Sequence, residues 1–216
     1  MTRYNSQAEN VIKTSRTFPM SLSKQAKTLT KPQADAVLAY LSTTRYPLRN
    51  RVIFLLSLKA GLRAKEIASL KWEMVTDAEG KLGNEIALTN DASKGKKGGR
   101  IIPLSKELRL ALGFLKAEAE KALRPSPFVI ATERATNTSS YAVVNKFGAW
   151  YRALGFTGAS SHSGRRTAIT HWARKISSVG GSLRDVQLLA GHSALSTTQR
   201  YIEGSEDAKR RVVESV

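Results

Sequence analysis

Four short segments of the chain carry side chains that could act on a phosphate group. They are Arg63 with Glu66, the lysine at position 94, His162 with Arg165, and His192 with Tyr201 nine residues later. Guanidinium groups bind phosphate oxygens through paired hydrogen bonds, and imidazole exchanges protons near neutral pH. A phenol can act as a nucleophile once it loses its proton. Together these residue types fit phosphoryl transfer.

Each segment taken alone also has an ordinary structural explanation. Arg63 could cap a helix or pair with Glu66 at the i,i+3 spacing. His162 and Arg165 fall near a predicted helix N-terminus, where the backbone favours an anion, but they could equally be a surface pair. His192 could belong to a turn, and Tyr201 could be a half-buried core residue. The prediction therefore depends on the combined order and spacing.

The charge of the chain indicates a polyanionic partner. Lys and Arg total 35 against 17 Asp and Glu, which gives a formal net charge of +18 and a sequence pI near 10.4. Nucleic acid is the commonest partner for such an excess. A solvated basic face on a ribosome-associated or membrane-surface protein is the alternative.

Several other classes of protein and site find no support in the sequence. There is no cysteine, which excludes disulfides and thiolate metal sites and suits a reducing cytoplasm. The longest uncharged apolar run, Val52 to Leu58, is far shorter than the roughly 20 residues that span a bilayer. Met1 to Asn10 do not resemble a secretory signal. We expect a cytoplasmic protein without a membrane span.

Sequence periodicity and capping signals predict a mainly helical chain with one hairpin. A capping box at Thr30 begins the first helix, and Gly61 follows the second. The predicted helices are Thr30 to Ser42, Leu48 to Leu58, Ala64 to Leu70, Lys106 to Leu123, Tyr141 to Leu154, His162 to Ile176, Leu183 to Leu189 and Ser196 to Ile202. The predicted strands are Glu85 to Leu88 and Arg100 to Leu104. They flank a glycine- and lysine-rich tip at residues 93–99.

The joint pattern resembles the catalytic domain of the tyrosine recombinases, also called the phage integrase family. The resemblance covers Thr30 to Glu203 and includes Gly-Leu-Arg-Ala-Lys-Glu-Ile at residues 61–67 and Arg-Ile-Ile-Pro-Leu at residues 100–104. It implies an α+β fold, mainly α-helical with a small antiparallel hairpin. It also implies DNA breakage and rejoining without a metal ion or an energy cofactor.

The resemblance assigns a role to each matching residue. Arg63 and Arg165 would hold the nonbridging oxygens of the scissile phosphate, and Tyr201 would form a 3′-phosphotyrosyl intermediate. A phenol must lose its proton during attack, and His162 would assist as the base. His192 would donate a hydrogen bond to the phosphate.

The lysine-rich loop would supply the general acid that protonates the leaving 5′-oxygen. Lys94 is the first candidate, but this loop is one residue longer than is common in the family, so Lys96 or Lys97 could take the role. Lys96, Lys97 and Arg100 are also expected to contact DNA. Glu66 is expected to orient Arg63 or a neighbouring catalytic group, with a plain surface role as the alternative.

The second motif departs from the family pattern at Gly164, where a larger apolar residue is common. A glycine costs roughly 1 kcal/mol of helix propensity relative to alanine, but it leaves the spacing from His162 to Arg165 intact. We expect the motif to function despite this change.

We predict three parts of the chain: a basic arm at 1–29, a catalytic domain at 30–204 and a tail at 205–216. Larger family members carry a separate DNA-clamping domain, for which the arm is too short. The chain is either a recombinase that consists of the catalytic domain alone, which Met1 favours, or a fragment of a longer protein. The expected partners are double-stranded DNA and further copies of the chain in a homotetramer on synapsed DNA. The tail would dock on a neighbouring subunit, and accessory DNA-bending proteins could assist.

Two other functions are compatible with the same residues. A type IB topoisomerase uses nearly the same catalytic groups to relax supercoils. A DNA-binding regulator could retain the fold without the reaction. A bacterial, phage or mobile-element origin is expected for the recombinase.

Overall fold

A computed structural model describes residues 26–92, 99–121, 125–133, 135–202 and 213–214. Lys94, Lys96 and Lys97 lie outside the described residues. So do residues 1–25 of the predicted arm and all of the predicted tail except Val213 and Glu214.

The described residues form a mainly α-helical fold with one two-stranded antiparallel sheet, as predicted. The helices are α1 (Lys31–Ser42), α2 (Pro47–Leu58), α3 (Ala64–Ser69), α4 (Lys106–Glu120), α5 (Ser140–Ala153), α6 (Ser163–Lys175), α7 (Leu183–Ala190) and α8 (Leu195–Gln199). The strands are β1 (Glu85–Leu88) and β2 (Arg100–Pro103). None of the described helices combines the length and the apolar character that crossing a membrane requires.

Helix N-termini follow the side-chain signals in the sequence. The Thr30 hydroxyl accepts the backbone N–H of Gln33, and the Gln33 side chain accepts the backbone N–H of Thr30 at 2.9 Å. The hydroxyl groups of Ser105 and Ser139 likewise accept a backbone N–H from the first turns of α4 and α5. The predicted capping box at Thr30 is therefore confirmed.

Helix α2 lies at the centre of the fold because its apolar run is buried on all sides. Residues 52–58 are all buried, and α2 packs against α1, α4 and α6. A second, smaller apolar cluster forms between α6 and α7 from Ile169, Ala173, Val186 and Ala190. The ring of Tyr201 packs against this second cluster.

The predicted hairpin is confirmed and places Arg100 at the end of the strand pair that adjoins the connecting loop. Strands β1 and β2 pair with Leu88 opposite Arg100 and Ile86 opposite Ile102. The side chains of Ile86 and Ile102 are buried in the main core, which fixes the register of the pair. Arg100 is therefore the first residue of β2 after the lysine-rich loop.

The segment before α1, on the N-terminal side of the predicted boundary at Thr30, packs against the rest of the fold. Leu29 lies in the main core, and its N–H donates to the Thr167 hydroxyl at 2.8 Å. The N–H of Lys27 donates to the carbonyl of Gly158 at 3.1 Å. The side chain of Arg166 donates to the carbonyl of Ala26 at 3.1 Å. These contacts hold residues 26–29 against α6 and the turn before it.

Gly164 allows α6 to lie directly against α2. A Cβ atom at this position would lie 2.6 Å from Oγ and 3.0 Å from Cβ of Ser57, which is fully buried. Larger residues are common here in the family, but they do not fit this helix contact. The close approach is the physical reason for the departure seen in the sequence.

We expect Gly164→Ala to destabilise the fold, although alanine is the better helix former. The added methyl group would force α2 and α6 apart, and overpacking of this kind lowers the free energy of unfolding by about 1–3 kcal/mol. Urea denaturation monitored by circular dichroism would measure the change. Gly113→Ala in α4 is the control, because its Cβ would meet only Leu82 at 3.9 Å. Equal effects of the two substitutions would contradict the packing explanation.

Candidate active site

Arg165 joins three of the four predicted segments. It lies in the first turn of α6, and only 5% of the residue is exposed. Its guanidinium donates to the carbonyl of Gly61, to the carbonyl of Ala190 at 2.7 Å and to Nε2 of His192 at 3.2 Å. The segments that carry Arg63, His162 and His192 therefore meet at the buried guanidinium group of Arg165.

The surroundings of Arg165 favour a bound anion. Burial, followed by the positive charges of Arg63 and Arg100, lowers the pKa of Arg165 to about 9, although the charge of Glu66 acts in the opposite direction. The guanidinium remains protonated at neutral pH but lies near two other cations and one carboxylate. An anion in contact with this cluster would offset the cost of burying its positive charge.

Glu66 holds Arg63 in place from the first turn of α3. The carboxylate is fully buried and accepts the backbone N–H of Arg63 at 2.7 Å and its Nη1 at 2.9 Å. Burial favours a higher pKa for Glu66, but the hydrogen bonds and charges of Arg100 and Arg63 outweigh it and lower the pKa. Glu66 is therefore ionised at neutral pH. Its burial excludes the alternative of a surface role.

Arg100 was predicted to contact DNA, which stays a prediction, and in this structure its guanidinium binds within the protein. Nη1 and Nη2 each donate to the Glu66 carboxylate at 2.9 Å, and Nε donates to the carbonyl of Leu189 at 3.0 Å. Only 9% of its side chain is exposed. The guanidinium is thus engaged within the protein and does not present a free charge to DNA.

His192 is held between Arg165 and α8. A guanidinium group can only donate hydrogen bonds, so Nε2 of His192 must accept from Arg165. The proton of the neutral ring is therefore on Nδ1, which donates to the Thr198 hydroxyl at 2.9 Å. Both ring nitrogens are therefore engaged. The donation of a hydrogen bond from His192 to a phosphate stays a prediction. The ring would first have to release Arg165.

The charge state of His192 gives a testable dependence of stability on pH. Burial, followed by the charges of Arg165, Arg63 and Arg100, lowers the pKa of His192 to about 4 from its ordinary value of 6.5. Between pH 6.5 and 4 the unfolded chain binds a proton that the native ring resists, so the free energy of unfolding falls as the pH decreases through this range.

Denaturation curves at several pH values would measure this loss. His192→Gln removes the titrating ring, so we expect its stability to fall less steeply than that of the unmodified protein between pH 6.5 and 4. The carboxylates titrate in both proteins, so they cancel from the difference. Parallel curves would show that His192 is not held neutral by the fold.

Tyr201 lies in the turn that follows α8. Helix α8 ends at Gln199 and not at the predicted Ile202. The backbone N–H of Tyr201 donates to the carbonyl of Thr198 at 3.0 Å. Its ring stacks on that of His192, with ring centroids 5.7 Å apart and planes at 19°. The predicted nucleophile and the predicted histidine are therefore in direct contact.

Tyr201, His162 and Arg165 line one open pocket of about 380 Å³. His162 is the N-cap residue of α6 and is exposed, and its backbone N–H donates to the Ser160 hydroxyl at 3.2 Å. The other lining residues are Ala26, Ser160, Arg166, Thr197 and Arg200. Two further arginines thus add positive charge to the walls, which suits a polyanionic substrate.

No group of three or more potential metal ligands occurs among residues 26–92, 99–121, 125–133, 135–202 and 213–214. The acid predicted at Lys94, with Lys96 or Lys97 as alternatives, lies outside the described residues. Its position stays a prediction.

The motifs did not identify Thr198 as part of this site, and they assigned to Arg100 a different role, a contact with DNA. Thr198 is fully buried and binds both the ring of His192 and the backbone of Tyr201. A threonine in a short helix carries no signal of its own in a single sequence. Arg100 was noticed only as a basic residue, because its partner Glu66 lies 34 positions earlier in the chain.

The chain matches characterised sequences over most of its length. The model of the phage integrase family matches residues 27–207. Tyrosine recombinase XerA of Pyrococcus horikoshii is 28% identical over 197 residues, which cover 87% of this chain and 60% of that protein. Tyrosine recombinase XerC of Chlamydia pneumoniae is 29% identical over 187 residues, which cover 85% and 56%. The chain thus spans less than two thirds of the length of these relatives.

Solved structures share the fold. A crystal structure of XerA recombinase aligns with a TM-score of 0.68 at 19% identity and covers 88% of this chain and 65% of that one. The integrase of the Tn1549 transposon, in complex with transposon right end DNA, aligns with a TM-score of 0.64 at 18% identity over the same shares. The family model, the sequence relatives and the shared fold agree, and the chain belongs to the phage integrase family.

Proposed function

We propose that this protein is a site-specific DNA recombinase that cleaves and rejoins strands through a covalent bond between Tyr201 and a 3′-phosphate. The observation that carries the proposal is the shared pocket of His162, Arg165 and Tyr201. It combines a nucleophile, a titratable group and a buried cation within reach of one phosphate. Family membership supports the same reaction.

The proposed reaction conserves the energy of the phosphodiester bond. The Tyr201 oxygen attacks the phosphorus, a phosphotyrosyl bond forms, and the bond to the 5′-oxygen breaks. His162 accepts the phenolic proton, and Lys94 gives a proton to the leaving oxygen, with Lys96 and Lys97 as the alternatives. Attack by the 5′-hydroxyl of a second strand reverses these steps and releases Tyr201. The reaction requires neither a metal ion nor an energy cofactor.

Arg63 and Arg165 would stabilise the charge that develops on the phosphate. Glu66 fixes Arg63, and two backbone carbonyls fix Arg165, so neither guanidinium has to reorganise during the reaction. Preorganised charge of this kind is usually the largest single contribution to catalysis of phosphoryl transfer. His192 would join them only after exchanging its bond to Arg165 for one to the phosphate.

Double-stranded DNA is the proposed partner in the cytoplasm. The formal charge of +18 supports it, as do the arginines that line the pocket. Strand exchange between two duplexes needs one active site for each strand that is cut, so a homotetramer on synapsed DNA is the assembly that we propose. Accessory DNA-bending proteins could assist that assembly.

Plasmid reactions would test this function against its rivals. A supercoiled plasmid with two copies of the DNA that flanks the gene, and a plasmid without them, would each be incubated with the protein in EDTA. Recombination that depends on the flanking DNA is expected. Equal relaxation of both plasmids would indicate a topoisomerase. Binding without cleavage of either plasmid would indicate a regulator.

A further inference from the structure

The Arg100–Glu66 pair lies at the junction of three parts of the active site. Arg100 begins β2, directly after the lysine-rich loop, while Glu66 lies in α3 and binds Arg63. The third part is the end of α7, where the carbonyl of Leu189 accepts Nε of Arg100. One guanidinium therefore connects the hairpin, the Arg63 segment and the segment that leads to His192.

All three nitrogens of the Arg100 guanidinium group donate hydrogen bonds in this contact. Nη1 and Nη2 bind the two different oxygens of Glu66, both at 2.9 Å, and Nε binds the backbone at 3.0 Å. A lysine has a single nitrogen and cannot reproduce these three directed bonds. The pair is also almost completely buried, so its loss could not be compensated by water.

Gly191 shows how closely Arg100 packs against the segment before His192. A Cβ atom on Gly191 would lie 2.9 Å from Nη1 and 3.2 Å from Cζ of Arg100. Gly191 also adopts φ of +61°, which disfavours other residues. The absent side chain thus allows the arginine to lie between Glu66 and the end of α7.

We infer that Arg100 is a positioning residue for catalysis: it fixes Arg63 through Glu66 and couples the hairpin to the turn that carries His192. This inference rests on the proposed function. We do not expect Arg100 itself to contact the scissile phosphate. Its removal should therefore slow the reaction of bound DNA more than it weakens DNA binding.

Four variants would be compared with the unmodified protein: Arg100→Lys, Arg100→Gln, Glu66→Gln and the double variant that combines Arg100→Gln with Glu66→Gln. The double variant removes both charges and so avoids an uncompensated buried carboxylate, which could by itself prevent folding. Arg109→Lys is the matched control, because Arg109 is exposed and, within the described part of the chain, its side chain binds the carbonyls of Leu82 and Gly83 alone. The melting temperature of each protein would establish that it is folded.

Two functional quantities would then be measured on a nicked DNA duplex carrying the recombination site. One is the single-turnover rate of covalent complex formation at saturating protein, and the other is the Kd with its salt dependence. We expect Arg100→Lys to lower the rate about 100-fold, as for other misplacements of catalytic groups by about 1 Å. The salt dependence should not change. The double variant should be no slower than the slower of Arg100→Gln and Glu66→Gln measured singly, because the two residues act as a unit.

Three results would overturn the inference. Arg100→Lys could react as fast as Arg109→Lys, or the effects of the two single glutamine variants could simply add. Alternatively, Arg100→Gln, which removes the positive charge, could weaken binding uniformly, with a salt slope smaller by about one, as expected for a direct phosphate contact. If the unmodified protein binds this DNA without forming any covalent complex, the proposed function fails as well. The result for the unmodified protein thus distinguishes failure of the inference about Arg100 from failure of the proposed function.

Discussion

Tyr201→Phe is expected to abolish the covalent complex with DNA and to leave the fold intact. The phenylalanine ring can keep its place against His192 and the small apolar cluster, but it has no oxygen to attack phosphorus. Removal of a catalytic nucleophile typically lowers the rate by a factor of about 10⁶, so no cleavage should be detected. Incubation with a nicked duplex followed by denaturing electrophoresis would measure the complex.

The control for this variant is Tyr141→Phe. Tyr141 lies in the first turn of α5, and 73% of its surface is exposed, so we expect its hydroxyl to contribute nothing to cleavage. Both variants should have the melting temperature of the unmodified protein and should bind the duplex. A denaturation-resistant complex formed by Tyr201→Phe would refute the assignment of the nucleophile.

Arg165→Lys should have the second largest effect, a loss of about 1,000-fold or more in the cleavage rate. Arginines that stabilise the transition state of phosphoryl transfer contribute about 10³–10⁵ in rate. Lysine keeps the charge but cannot bind the carbonyls of Gly61 and Ala190 while also presenting a planar fork to phosphate. A buried carbonyl left without its partner would also lower the free energy of unfolding, by about 1–3 kcal/mol.

Single-turnover cleavage and urea denaturation would separate these two effects. Arg174→Lys is the matched control, because Arg174 is an exposed residue in the last turn of the same helix. We expect it to change neither quantity. A stable Arg165→Lys protein that cleaves DNA as fast as Arg174→Lys would contradict the role of Arg165.

The helices, the hairpin and the proximity of the candidate catalytic residues could be predicted from the sequence because their signals are local or regularly spaced. The capping box at Thr30 lies within four consecutive residues, and the apolar run in α2 has the length of a buried helix. The nine-residue interval between His192 and Tyr201 spans one turn and the short helix α8, which brings the two rings together. The end of α8 was misplaced, since helix ends depend on contacts with the rest of the fold.

Contacts between distant parts of the chain could not be predicted. The carbonyl of Gly61 binds Arg165, which is 104 residues away, and Leu189 binds Arg100, which is 89 residues away. The sequence does not indicate either pairing, since a backbone carbonyl is present in every residue type. For the same reason Arg100 looked like one more basic residue of a basic chain.

The role of Gly164 was also hidden in the sequence. Helix propensity predicts that a glycine at this position destabilises the helix. It does not predict that the missing side chain allows Ser57 of α2 to pack closely against α6. That approach follows from the packing of two helices that lie far apart in the sequence. Packing also decides that the ring of His192 is occupied by Arg165 and Thr198 in this structure.

Mapping the covalent bond is the most direct test of the central claim that Tyr201 joins the protein to DNA. The complex with a nicked duplex would be digested with protease and nuclease, and the nucleotide-bearing peptide would be identified by mass spectrometry. We predict a single modified peptide, with Tyr201 linked to the 3′-phosphate. A nucleotide on any other residue, or a bond to the 5′-phosphate, would contradict the account.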